Sequence, residues 1–159
     1  MSSSMEQLQN AAYRGVQKFK HGIFSEIRMF YIARVVKYDK KNHVADIQPL
    51  ANLSDGQESA QYLEVPVSEN CYMLDEWFER IKPEFKKLDA NPHNSTSLSD
   101  KFPKKKLMRK GVPVICAVLD RDNDNWDGKA NTYDPNTSRL HDANDSIVIG
   151  VLGGDAVNG

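Results

Sequence analysis

Apolar residues at Met5, Leu8, Ala12, Val16 and Phe19 fall three or four positions apart with Gln, Lys and Arg between them, the spacing of one helix face. Residues 1–22 are therefore predicted as an amphipathic helix or arm. His21-Gly22 is its expected stop, because glycine enters the left-handed conformation that ends many helices. Such a helix packs either on its own domain or on a neighbouring subunit, and the pattern alone does not choose. At Phe30 the period shortens. Phe30 to Tyr38 is rich in β-branched and aromatic residues, Asp39-Lys40-Lys41-Asn42 has turn chemistry, and His43 to Leu50 resumes a strand pattern, which together predict a β-hairpin.

A third strand is predicted over Tyr62 to Val67, a fourth over Gly111 to Asp120 and a fifth over Ser146 to Leu152. In the fourth, Val112, Val114, Cys116 and Val118 alternate with Pro113, Ile115, Ala117 and Leu119, so both faces are apolar and both need a cover. Between the third and fourth strands lies an insertion, 68–110, too long to be a bare loop. Its first half places Trp77, Phe78, Ile81, Phe85 and Leu88 at helical spacing, with Pro83 expected to kink or divide the helix. Its second half is polar and then basic: six of the ten residues from Lys101 to Lys110 are Lys or Arg. Five short strands, a leading helix and a partly helical insertion fit a mainly β fold, a small five-stranded Greek-key barrel of the OB type over 30–152, with 153–159 as a short flexible tail.

The chain has 159 residues and 18.0 kDa, which suits one domain with a self-sufficient core. Cys71 and Cys116 are too few for a disulfide scaffold, and no apolar run approaches the length of a spanning helix. No secretory leader pattern opens the chain, so synthesis in a reducing cytoplasm is expected. Lys and Arg number 21 against 22 Asp and Glu, which gives no global attraction to nucleic acid or anionic lipid.

Catalytic signatures are missing: there is no phosphate-binding loop, no Gly-x-Ser-x-Gly, no paired-cysteine motif and no His-Glu-x-x-His. His21, His43, His93 and His141 are scattered. The run Asp120-Arg121-Asp122-Asn123-Asp124-Asn125-Trp126-Asp127-Gly128 offers oxygen ligands at alternate positions, but a calcium loop needs Gly where Asn125 stands and Glu where Asn131 stands. A capped, solvated turn is the simpler reading. A metal-dependent hydrolase built on Asp120, Asp122 and Asp124 lacks an accompanying base or second ligand cluster. The basic run could track phosphates, which makes a single-stranded nucleic-acid binder of the OB class the rival function, yet only Phe102 lies within that run as a stacking platform.

The order of segments is similar to that of a known family. Ile32-Ala33-Arg34-Val35-Val36-Lys37-Tyr38-Asp39, a turn, and Val44-Ala45-Asp46-Ile47-Gln48-Pro49-Leu50 resemble the opening hairpin of the N-terminal OB domain of phage baseplate central-spike, membrane-puncturing proteins. Glu64-Val65-Pro66-Val67, the stretch from Gly111 to Trp126 with its Asp120-Arg121-Asp122 turn, and the run from Arg139 through His141-Asp142-Ala143 to Leu152 resemble later family patterns in the same order. The resemblance implies a non-enzymatic structural virion protein without cofactor, commonly a homotrimer on the tail axis, made in the host cytoplasm and acting in assembly and host-envelope penetration. The family's long β-helical needle has no counterpart here, and the 68–110 insertion is a further departure, so a hub, adaptor or needleless spike component is the expected role. Expected partners are sister copies, the baseplate hub, other tail proteins and a separate needle protein, with no nucleic acid and only indirect contact with the host membrane. Val112, Val114, Ile115, Val118 and Leu119 are the candidates for the interface between copies. Trp77, Phe78 and Phe85 are candidate anchors on a partner, with Lys104, Lys105, Lys106 and Arg109 as steering charges.

Overall fold

The computed structural model describes residues 2–27, 29–53, 55–93 and 96–153, and the tail from 154 lies outside these. Helix α1 spans Ser2–Glu26. Strands β1, Phe30–Asp39, and β2, Val44–Pro49, form the expected hairpin. The Asp39 carboxylate accepts the N–H groups of Lys41 and Asn42, the local bonding that makes Asp a turn former. Strand β3 is Tyr62–Pro66, helix α2 is Met73–Asp89, and β4, Pro113–Val118, and β5, Ser146–Val151, complete the set.

All pairings within the sheet are antiparallel, in the order β3-β2-β1-β4-β5. The two edges then meet. Val67, just past β3, bridges Val148 of β5 in parallel, and the Ser68 N–H donates to the Val148 carbonyl at 2.9 Å. The sheet is thus curled into a small barrel-like form, with register shifts near Val35, Ala45 and Ile115 of the kind that increase local twist. Alternate residues face inward, so Ala33, Val35, Ala45, Ile47, Val65, Val114, Cys116 and Val148 make one core, closed at its end by Val67, Cys71, Met108 and Val112. Burial raises the thiols of Cys71 to about 11 and Cys116 to about 12, which leaves both protonated and inert.

One expectation about the helices is corrected. Helix α1 runs through Gly22 to Glu26 instead of stopping at 21–22; glycine in a helix costs about 1 kcal/mol and does not by itself end one. Helix α2 is a single helix of 17 residues that contains Pro83. The insertion is anchored at its two ends. Asp75 accepts the N–H groups of Leu107 and Met108 at 2.8 and 3.0 Å, which sets Met108 into the core, and Asp89 accepts those of Leu98 and Ser99.

Candidate interaction surface

The outward residues of β1, β4 and β5 follow from the pairing register, because residues opposite one another share a face. Ile32 stands opposite Ile115, and Phe30 opposite Ala117, which in turn stands opposite Ile147. Leu50 extends the first row, its N–H donating to the Ile32 carbonyl at 2.9 Å. A Cβ on Gly150 would lie 3.1 Å from Ile115 Cγ2, so glycine there is what lets Ile115 lie flat across the neighbouring strand. The result is an apolar sheet face open to water, with Phe30 at 60%, Ile32 at 49% and Leu50 at 47% exposure, continued by Met29. None of the described residues covers it, and uncovered apolar faces of this kind are candidates for contact surfaces.

The structure divides the five residues expected at an interface between copies. Val112 and Val114 point into the core and are buried, so they are corrected to core residues: the inner and outer faces of β4 are both apolar, but only one is reachable. Ile115 belongs to the outer face, and Val118 and Leu119 are half-buried at the strand's end.

Of the candidate anchors, Phe78 and Phe85 are half-buried and each meets the Phe102 ring edge-on at 5.3 Å, so they hold the insertion together. Trp77 remains 52% exposed. Among the charges, Lys106 pairs with Glu79, which also binds Lys40 of the β1–β2 turn. These two ammonium groups hold the Glu79 carboxyl down to about 2. Arg109 donates to the backbone carbonyl of Lys106, while Lys104 and Lys105 are exposed. The Lys106 and Arg109 bonds lie within the insertion, and it is Lys40, through Glu79, that ties the insertion to the β1–β2 turn.

A groove of about 600 Å³ lies between β1, the start of α2 and the basic segment, lined by Tyr38, Tyr72 and Met108. His43 stacks on Tyr72 with ring centroids 4.0 Å apart, which uses one face of the groove's aromatic wall within the chain. Lys37, Arg109 and Lys110 line the groove together with Asp75 and Glu76, so its rim carries both signs of charge. A phosphate backbone would meet repulsion there as well as attraction.

The acidic run acquires a partner that spacing does not reveal. Asp122 and Asp145 are both buried, at 0% and 1% exposure, and Arg139 reaches between them. Its Nε and Nη2 donate to the two oxygens of Asp145 at 2.7 and 2.8 Å, and Nη2 also lies 3.0 Å from Asp124 Oδ2 and 3.4 Å from Asp122 Oδ1. Thr137 donates its hydroxyl to Asp122 at 2.7 Å. The Thr137 hydroxyl, the Asp124 N–H and the guanidinium together hold the Asp122 carboxyl below its ordinary value. Asp122, Asp124 and Asp145 are close enough to share a cation, and the guanidinium supplies positive charge among them. Asp120 stands apart, exposed and paired with His141 at 3.3 Å, so of the three aspartates weighed for a metal-dependent hydrolase only Asp122 and Asp124 lie together, with Asp145 as their neighbour. The chain matches no protein-family model and no curated protein. No helix among the described residues is long and apolar enough to cross a membrane.

Proposed function

We propose that this chain is a structural component of a bacteriophage tail baseplate, a central-spike or hub/adaptor protein that works by assembly on the tail axis during host-envelope penetration. Its barrel is read as the OB-type Greek key; the strand order and the parallel meeting of β3 and β5 at Val67–Val148 support that assignment. The colinear sequence patterns supply the family analogy. The observation that carries the reading is the open apolar face around Ile32 and Ile115, which suits burial against sister copies in a homotrimer. Burial stabilises such contacts by roughly 25 cal/mol per Å² before the cost of association. The projecting insertion, with Trp77, Lys104 and Lys105 on its surface, is the part that reaches a surrounding hub. No bond-making chemistry is assigned. The test is light-scattering mass on purified protein together with its detection in purified particles. A multiple of three and a place in the tail support the reading, and a solitary 18.0 kDa molecule missing from particles overturns it.

A further inference from the structure

Helix α1 packs against no other element of the fold among the described residues. That is unusual for 25 residues containing Gly15 and Gly22, because helices in water draw most of their stability from packing an apolar face. Its extension beyond Gly22 also lengthens the stripe, to Met5, Leu8, Ala12, Val16, Phe19, Ile23 and Ile27. The Ile27 N–H still donates to the Ile23 carbonyl at 3.2 Å. The steps are three, four, four, three, four and four: an eleven-residue repeat taken twice. Its mean of roughly 3.67 residues per turn is so close to that of a straight helix that the stripe barely winds and can face one partner along its whole length. The large members are open, with Leu8 at 69% and Phe19 at 72% exposure.

We propose that the partner is α1 of sister copies, and that the helices associate side by side and parallel into a bundle rooted in the barrels. The inference rests on the assembly reading for the parallel orientation of the copies. Three observations favour this occupant. The flanks are complementary: at about 100° per residue, Ala11, Gly15 and Gly22 lie along one side of the stripe and Tyr13 and Phe24 along the other. A Cβ on Gly15 or Gly22 would meet nothing within 4 Å, so each is an open notch, and in a ring of parallel helices the aromatic flank of one faces the notched flank of the next. The stripe runs the length of a 25-residue helix, roughly 37 Å, and adds to the sheet face toward the ~800 Å² that each partner contributes to a standard interface. The end of the stripe also meets the open sheet face, since Ile27 lines one hollow with Met29 and Phe30.

The experiment uses the full chain. Leu8→Cys is oxidised alongside Arg14→Cys, which lies on the opposite side of the helix. Parallel, in-register packing gives a disulfide-linked dimer for the first only, and the native thiols stay silent because both are buried. In parallel, Val16→Glu with Phe19→Glu is compared with the parent by light scattering and by circular dichroism at 222 nm. Because α1 supplies 25 helical residues against 17 in α2, melting of an unpartnered α1 removes more than half of the helical signal while the barrel stays folded. Cross-linking at Leu8→Cys and that loss of signal support the proposal. An oligomer whose mass and helicity are untouched by the two charges, with no cross-link at Leu8→Cys, overturns it and leaves the assembly reading standing. A parent that is monomeric, and whose α1 binds vesicles of anionic lipid, overturns both.

Discussion

Two parts of this molecule handle burial in opposite ways. The loop from Leu119 to Asp145 has almost no regular structure, yet it is closed on itself: Asp122 and Asp145 are buried, and each is matched by Arg139, by Thr137 or by backbone N–H groups. The outer face of β1 and β4, by contrast, is regular sheet with its apolar side chains open. Irregular backbone survives here because its polar groups are satisfied internally, and regular backbone is incomplete because its apolar groups are not. The loop needs nothing further; the sheet face and α1 are the parts that the proposed assembly would cover.

The strongest way to break this contrast is to remove the cation from the loop. Arg139→Ala leaves two buried carboxylates without their charge partner, and losing one member of a buried pair is far more damaging than losing a surface one. The expected fall in melting temperature is roughly 8 °C, followed by circular dichroism. Arg139→Lys recovers only part of it, since an ammonium cannot give Asp145 the two parallel bonds of the guanidinium. An unchanged melting temperature in Arg139→Ala would show that the loop is held by something other than this cluster.

The open face predicts the reverse pattern. Ile32→Glu puts a charge on a residue that is 49% exposed in the single chain, so the barrel's own melting should move by no more than ~2 °C. Its mass in solution should nonetheless fall to that of one chain, because the same charge is desolvated in any contact made through this face. If the mass holds, the face is not the contact, and the difference between the two regions is one of exposure only.

How far the sequence carries depends on whether the determinant is local. The β1–β2 hairpin was readable because its turn is made by Asp39 within four residues, and β3, β4 and β5 fall within two residues of their expected ends. The Arg139 cluster was not, since its members are separated by up to 23 positions of irregular chain; the Asp run alone suggested a capped, solvated turn and only a poor match to a metal loop. Alternation on β4 revealed two apolar faces but not which one would be filled, and so Val112 and Val114 were expected at a surface they do not reach. Phe78 and Phe85 likewise met Phe102 across a loop that spacing cannot fold.

The smallest effect sharpens the contrast through acid. Folding holds the carboxyls of both Asp122 and Glu79 below their ordinary values, so each contributes stability that is complete above its unfolded value and is lost as pH falls through its folded one. For Glu79 that window runs from about 4.5 down to about 2. Glu79 is 41% exposed between Lys40 and Lys106, whereas Asp122 is buried. At ~1 M salt the screening length is about 3 Å, which removes most of the Glu79 contribution and little of the Asp122 one. Melting curves between pH 5 and pH 2 should therefore flatten partly on adding salt, and Glu79→Gln should produce the same partial flattening without it. A variant in which salt still flattens the curve as much as in the parent would place the screened charges elsewhere, and would remove the pairing through Glu79 as the tie between the insertion and the barrel.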